Sequence, residues 1–316
     1  MKTPGGPPVV VVLIDDGERA RTWRAALAEA LPEGRATLAE DVDDPAAVEF
    51  AVAWGVPGAA FRRFPRLRAV LSLGAGVDRF LGDPELAAVP VVRMVEPGLT
   101  RGMREYVLLH VLRHHRDMPR LARQQAERRW EPFASPLASE RGVGIMGLGV
   151  LGADAARHLA GIGFRVAGWS RGPRELPGIA GFHGADGLPA FLERTEILVC
   201  LLPLTAETAG ILNARLFATL PRGAAVINAA RGEHLVEADL LAMLEAGHLS
   251  GATLDVFREE PLPADHPFWR HPRIRVTPHN ASLTRPDTGA RQMARAIRQI
   301  LAGERPDHLA DRRAGY

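Results

Sequence analysis

The feature that most limits what this chain can fold into is Gly147-Leu148-Gly149-Val150-Leu151-Gly152, three glycines at G-x-G-x-x-G spacing. The spacing alone is weak. Its context is stronger, because the strand-like run Val143-Gly144-Ile145-Met146 precedes it and a helix-like run, Ala153 to Leu159, follows it. Strand, glycine turn and helix in that order form a dinucleotide fingerprint. The first glycine permits the tight turn, the second lets backbone approach a pyrophosphate, and the third lets helix and strand pack closely. The N–H groups at the helix start then face the phosphate charge. Residues 1–146 lie ahead of the fingerprint, which is room for another domain.

A second apolar run, Phe164 to Trp169, ends where an Asp or Glu would hold the ribose hydroxyls of NAD. Ser170 and Arg171 stand there instead. A hydroxyl and a guanidinium suit a 2′-phosphate, so NADP(H) is expected over NAD(H). Arg174 reads equally as a further phosphate ligand or as a solvated arginine.

A chain of 316 residues is comfortable for two cores. With 47% hydrophobic and 24% charged residues it has the composition of an ordinary globular protein. The net charge is +2 and the basic residues are interspersed with acids, so nucleic-acid binding is not expected. The one cysteine, Cys200, lies in the apolar run Ile197 to Leu202 and reads as a buried structural thiol. No stretch reaches the roughly 18 apolar residues of a membrane span. The apolar run Val9 to Ile14 is too short for a signal peptide and meets Asp15-Asp16. A cytoplasmic protein is expected. No His or Cys cluster has metal-ligand spacing, so no metal is expected. Lys2 is the only lysine, and Tyr106 and Tyr316 are the only tyrosines. Oxidoreductases that rely on a Tyr-x-x-x-Lys pair or a catalytic lysine, and nucleotide sites with a Walker lysine, are thereby disfavoured.

Along the chain, strand-like segments alternate with helix-like ones. The early strands are Val9 to Ile14, Val48 to Trp54, Ala69 to Leu73 and Val91 to Met94, with a helix at Arg19 to Leu31. Thr100 to about Glu127 reads as one long helix with Thr100 as N-cap, carrying Met103, Val107, Val111 and Leu112 on one face. Six strands follow: Gly142 to Met146, Phe164 to Trp169, Ile197 to Leu202, Ala224 to Asn228, Gly251 to Asp255 and Ile274 to Thr277. They match a doubly wound dinucleotide domain. The residues after Ser282 are too few for a domain, so a helix at Gln292 to Leu301 is expected to pack back on the N-terminal part.

Three polar residues stand just beyond late strands, where ligands bind in open α/β sheets. Arg231 ends Val226-Ile227-Asn228-Ala229-Ala230-Arg231-Gly232, Glu260 lies in Leu254-Asp255-Val256-Phe257-Arg258-Glu259-Glu260-Pro261, and His279 lies in Val276-Thr277-Pro278-His279-Asn280-Ala281-Ser282. With Ser72-Leu73-Gly74-Ala75-Gly76-Val77-Asp78 and Leu201-Leu202-Pro203-Leu204-Thr205, these segments resemble the D-2-hydroxyacid dehydrogenase family over essentially the whole chain. Trp54, Trp169-Ser170-Arg171, Thr284-Arg285-Pro286 and the tail Asp311 to Tyr316 resemble its A-type glyoxylate/hydroxypyruvate reductases.

The resemblance implies a two-domain α/β protein, with a flavodoxin-like substrate-binding lobe (1–98 and 284–316), a doubly wound NADP-binding lobe (99–283) and an active-site cleft between them. It implies NADPH-dependent reduction of a small 2-keto acid, with glyoxylate and hydroxypyruvate as substrates. His279 would be the general acid, Glu260 would favour the charged imidazolium, and Arg231 would grip the substrate carboxylate and keto oxygen. Gly74, Ala75 and Gly76 would offer consecutive N–H groups to a carboxylate as a nest. Trp54 would wall the pocket or simply belong to the core. On the cofactor side, Gly147, Gly149, Val150, Leu151 and Gly152 would meet the pyrophosphate, and Ser170 and Arg171 the 2′-phosphate. Leu202, Pro203 and Thr208 would line the adenosine side. Ala229 and Asp255 would lie near the nicotinamide, with Asp255 accepting from its carboxamide. Asn280 departs from the family, which commonly has an apolar residue after the histidine. The family and the apolar helix from Thr100 imply a homodimer. Two further readings stay open: a reductase of bulkier 2-keto acids, and a non-enzymatic dinucleotide-sensing protein on the same fold.

Overall fold

The computed structural model describes residues 6–316, and Lys2 lies outside the described residues. The chain divides into two compact units, Met1–Leu99 with Leu283–Tyr316, and Thr100–Ser282.

The first unit is built on a five-stranded sheet with every pair parallel. Its elements are β1 (Val9–Ile14), α1 (Gly17–Ala30), β2 (Arg35–Leu38), β3 (Val48–Trp54), β4 (Ala69–Ser72), the short α2 (Asp78–Leu81) and β5 (Val91–Val92). The strand order is β2-β1-β3-β4-β5, the flavodoxin-like order. The continuous apolar sequence of β1 suits a strand covered on both faces. Asp16 caps α1 by accepting the N–H groups of Glu18 and Arg19. The C-terminal helix Pro286–Leu301 returns to this unit and shares one core with α1, Trp23 and Leu27 packing with Met293 and Ile297. It starts before the expected Gln292, because Pro286 at its first turn has the fixed φ that a helix start favours.

α3 (Pro97–His115) starts in the last residues of the first unit's N-terminal segment and continues into the second unit, followed there by α4 (Met118–Ala126). The second unit continues with β6 (Gly142–Met146), α5 (Val150–Ile162), β7 (Arg165–Ser170), β8 (Ala180–His183), α6 (Gly184–Leu192), β9 (Ile197–Cys200) and α7 (Ala214–Thr219). It closes with β10 (Ala224–Asn228), α8 (Glu237–Glu245), β11 (Leu249–Leu254) and β12 (Ile274–Val276). The seven strands are all parallel, in the order β12-β11-β10-β9-β6-β7-β8. Sequence direction reverses between β6 and β9, and such a switch point opens a ligand crevice at the strands' carboxyl ends. The central strands β6, β9 and β10 are buried throughout, as suits their largely apolar sequences, with Asn228 the buried polar end of β10. Burial pushes the Cys200 thiol up to about 12, so it stays protonated. Among the described residues no helix is long and apolar enough to cross a membrane.

Two expectations differ from the structure. The long helix from Thr100 is two helices, and the first starts at Pro97 rather than being capped by Thr100. The break is at Asp117, which adopts a left-handed φ of 49°. Pro119 explains it, since its ring clashes with the carbonyl four residues back and it has no N–H to donate. β2 and β8 were not anticipated. Each is an edge strand of four residues with partly exposed faces, so neither carries a long apolar run.

On α3, burial holds the His110 imidazole down to about 4 and the His114 imidazole down to about 3, and Arg113 adds repulsion to both. His114 Nε2 lies 3.0 Å from Thr253 Oγ1 on β11. Both rings are therefore neutral in the folded chain near pH 5, whereas the unfolded chain takes up protons at about 6.5. The stability they contribute is present above that value and is lost as pH falls toward the folded values. The urea midpoint is expected to drop from about pH 7 to about pH 5, and His114→Asn is expected to flatten that drop. An equally steep drop in the variant would remove His114 from the linkage.

Candidate active site

His279 sits in the loop after β12 with a left-handed φ of 50°. That conformation costs a non-glycine residue about 1–2 kcal/mol and persists only where its surroundings over-determine it. Here the His279 N–H donates to the Asp255 carbonyl at 2.8 Å and the Thr277 carbonyl at 3.1 Å. Asp255 follows β11 and is 1% exposed. Its Oδ1 accepts the Thr277 hydroxyl at 2.6 Å and the Asn280 N–H at 3.0 Å, and its Oδ2 accepts the Ala281 N–H at 2.9 Å. One buried carboxylate thus shapes the residues on both sides of His279.

His279 Nδ1 lies 2.7 Å from Glu260 Oε2, while Glu260 Oε1 accepts the Phe257 N–H at 2.9 Å. An ionised carboxylate only accepts, so the proton on this contact belongs to Nδ1. Nε2 is then the ring nitrogen positioned for exchange with a substrate. The side chains are 34% and 25% exposed, so the pair is open enough to meet a ligand.

Arg231 begins the turn after β10. Asn228 holds this turn by donating from Nδ2 to the Arg231 carbonyl at 2.9 Å and accepting the Ala230 N–H at 3.2 Å. His234, fully buried, accepts the Arg231 N–H at Nδ1 and places Nε2 3.2 Å from the Pro203 carbonyl. One imidazole therefore ties the Arg231 turn to the loop after β9. Gly232 lies so close to the segment carrying Glu260 that an added Cβ would sit 1.9 Å from the Phe257 carbonyl carbon. Asn228, His234 and Thr277 were not singled out from the sequence. The signal available was their place beside Arg231 and His279 within the same short segments.

The glycine fingerprint follows β6. Gly147 has φ 98°, and an added Cβ there would fall 2.6 Å from the Leu201 carbonyl oxygen. A Cβ on Gly152 would fall 1.9 Å from the Gly147 carbonyl oxygen, so the turn and helix α5 cannot close without it. A Cβ on Gly149, in contrast, would meet nothing within 4 Å. No side chain caps α5, and Val150 at its start is 44% exposed. Open space before an uncapped helix N-terminus fits a pyrophosphate. Ser170 ends β7 and donates to the Gly172 carbonyl at 2.8 Å, and Arg171 beside it is exposed. The Thr208 hydroxyl donates to the Pro203 carbonyl at 2.7 Å and accepts the Thr205 N–H at 2.8 Å, so it shapes the loop holding Leu202 and Pro203. Ala229 is buried after β10, and its N–H donates to the Cys200 carbonyl. The donors already bound to Asp255 occupy three of a carboxylate's roughly four acceptor positions.

In the first unit, Leu73-Gly74-Ala75-Gly76 follows β4, which ends at Ser72. The Gly74 N–H donates to Ser72 Oγ at 3.1 Å, so it is used within the loop. The glycine is needed there for another reason, since an added Cβ would lie 2.2 Å from the Trp54 ring. Trp54, at the end of β3, packs partly buried against this unit's core.

Residues 108–281 match the family model described as D-isomer specific 2-hydroxyacid dehydrogenase, NAD binding domain. A glyoxylate/hydroxypyruvate reductase A of Serratia proteamaculans is 42% identical over 303 residues, covering 94% of this chain and 96% of that protein. The crystal structure of a D-isomer specific 2-hydroxyacid dehydrogenase from Xanthobacter autotrophicus Py2, in complex with NADPH and MES, superposes with a TM-score of 0.93 at 44% identity, covering 99% of this chain and all of that one. That of an NADPH-dependent glyoxylate/hydroxypyruvate reductase from Sinorhizobium meliloti, in complex with NADP and sulfate, gives a TM-score of 0.92 at 40% identity over 98% of this chain and 100% of that one. The chain belongs to the D-isomer specific 2-hydroxyacid dehydrogenase family.

The packing at Gly232 gives a direct check. Gly232→Ala must push the Arg231 turn away from the backbone beside Glu260. Turnover is expected to fall about a hundredfold while nucleotide binding persists, because a misplacement of about 1 Å costs that much. Unchanged turnover would show that this close approach does not position the site.

Proposed function

We propose that the protein is an NADPH-dependent reductase of small 2-keto acids, turning glyoxylate into glycolate and hydroxypyruvate into D-glycerate. The observation that carries this reading is the His279–Glu260 pair, held 2.7 Å apart at the end of the sheet whose β6 leads into the fingerprint. The names of the relatives from Serratia and Sinorhizobium support the same substrates and cofactor.

NADPH, when bound, supplies a hydride to the keto carbon. His279 gives the proton at Nε2 to the keto oxygen as the alcohol forms. Glu260 keeps the proton on Nδ1, fixes the tautomer and offsets the positive charge of the ring before transfer. Arg231 binds the substrate carboxylate and polarises the carbonyl. In the first unit, the N–H groups of Ala75 and Gly76 after the Gly74 turn suit a carboxylate, and Trp54 packs beside Gly74. The backbone of Gly147, Gly149, Val150, Leu151 and Gly152 meets the pyrophosphate. Ser170 and Arg171 hold the 2′-phosphate. Leu202, Pro203 and Thr208 line the adenosine side, and Ala229 and Asp255 border the nicotinamide. In this reading the unit with β1–β5 is the substrate-binding domain and the unit with β6–β12 the NADP-binding domain.

The protein also acts as a homodimer. Leu109 (61% exposed), Met118 (45%), Trp130 (95%) and Leu137 (69%) lie in the stretch from α3 to the start of β6 and are exposed apolar side chains of the kind a second copy covers. Light scattering is expected to give about twice the 34.2 kDa chain mass. A mass of one chain would refute the dimer.

The deciding assay follows NADPH oxidation with glyoxylate, hydroxypyruvate, pyruvate and phenylpyruvate, and repeats it with NADH. Fast turnover of the first two with NADPH is expected. Activity confined to bulky acids would move the substrate, and tight NADPH binding without turnover would make the protein a sensor. Arg171→Asp is expected to lower the NADPH-over-NADH ratio of kcat/KM. An unchanged ratio would remove Arg171 from the 2′-phosphate site.

A further inference from the structure

The contacts around Asp255 extend one step further, into helix α3. Tyr106, 9% exposed, places its hydroxyl 2.8 Å from Thr277 Oγ1, and Thr277 Oγ1 lies 2.6 Å from Asp255 Oδ1. Chemistry fixes the direction of this chain. A carboxylate can only accept, so the Thr277 hydrogen points at Asp255. The Thr277 oxygen must then accept, and Tyr106 must donate. Burial raises the Tyr106 phenol well above its ordinary range, so it remains a neutral donor. The ring itself is held by His110 one turn along, the two ring centres 4.3 Å apart. One turn back on the same face of α3, an added Cβ on Gly102 would lie 2.5 Å from Ser282 Oγ, so the helix also abuts the far end of the His279 loop.

We propose that Tyr106 is a positioning residue for His279, acting through Thr277 and Asp255 to fix the left-handed loop that presents the imidazole. The proposal rests on the reading of His279 as the proton donor. Asp255 Oδ1 is shared by the Thr277 hydroxyl and the Asn280 N–H, so the orientation of that carboxylate sets the backbone directly after His279. Without the Tyr106 hydroxyl, Thr277 can rotate away, Asp255 loses a fixed partner and the loop gains freedom. The outcome is a misaimed acid, with the nucleotide-binding backbone after β6 untouched. α3 thereby joins the machinery of the site without touching substrate.

The test uses the intact protein and Tyr106→Phe, which keeps the ring and removes only the donor. kcat with glyoxylate and NADPH is expected to fall about tenfold or more, as for a small misplacement of a reacting group. The dissociation constant for NADPH, read by nicotinamide fluorescence, is expected to stay unchanged. Amide hydrogen exchange across residues 277–282 is expected to quicken. Thr277→Val is expected to give the same loss and to add nothing to Tyr106→Phe in the double variant, the mark of one connected chain. Thr277→Ser is expected to recover most of what the valine loses. A Tyr106→Phe variant with wild-type kcat, wild-type exchange, or losses additive with Thr277→Val would overturn the proposal. If the wild-type protein turns over no keto acid, the reductase reading fails by itself, and the exchange data still decide whether Tyr106 holds the loop.

Discussion

The carboxylate of Asp255 lies at the end of β11, 1% exposed, and takes hydrogen bonds from Thr277, Asn280 and Ala281. Burying a charge without partners is prohibitively costly, so the loop must supply donors for the second unit to fold as it does. In supplying them, the loop is forced through the left-handed turn that sets His279 beside Glu260. Breaking one such bond to a buried charge leaves a deficit of roughly 1–3 kcal/mol, enough to hold an unfavourable residue conformation in place. The fold therefore enforces the geometry of the candidate proton donor through a group with no need to touch the substrate.

The rest of the second unit is arranged by close backbone approaches that only glycine allows. Gly147 and Gly152 draw the β6 turn, the loop after β9 and helix α5 together, while Gly232 draws the Arg231 turn against the segment bearing Glu260. His234 then joins the Arg231 turn to the Pro203 carbonyl from the other side. Nucleotide loop and candidate catalytic turns are thus parts of one hydrogen-bonded framework at the carboxyl ends of parallel strands, the position at which open α/β sheets bind ligands.

Both sheets were legible in the sequence where strands are buried on two faces. Val9–Ile14, Val48–Trp54, Gly142–Met146 and Ala224–Asn228 have the bounds their apolar runs suggest. The edge strands β2 and β8 were not legible, since a strand paired on one side needs no such run. Nor was the break at Asp117, although Pro119 announced it. At the candidate site the motif residues could be named, but not their internal wiring. The glycines around Ala75 suggested a row of N–H donors, and the structure uses the Gly74 N–H on Ser72. Asp255 could be placed near a nicotinamide, but its bonds to Thr277 and two loop amides depend on pairing across the sheet that no local pattern encodes. Tyr106 lies 171 residues from Thr277, and such a link is visible only once α3 has packed.

The central claim is that His279, aimed by Asp255 and paired with Glu260, delivers the proton in keto-acid reduction. The measurement that bears on it most directly is single-turnover oxidation of bound NADPH by glyoxylate in His279→Ala, with NADPH affinity measured in parallel. Affinity should remain at the wild-type value while the rate falls by about 10²–10⁴-fold, the range that general acid catalysis supplies. A variant that binds NADPH and reduces glyoxylate at close to the wild-type rate would contradict the claim and require another proton donor.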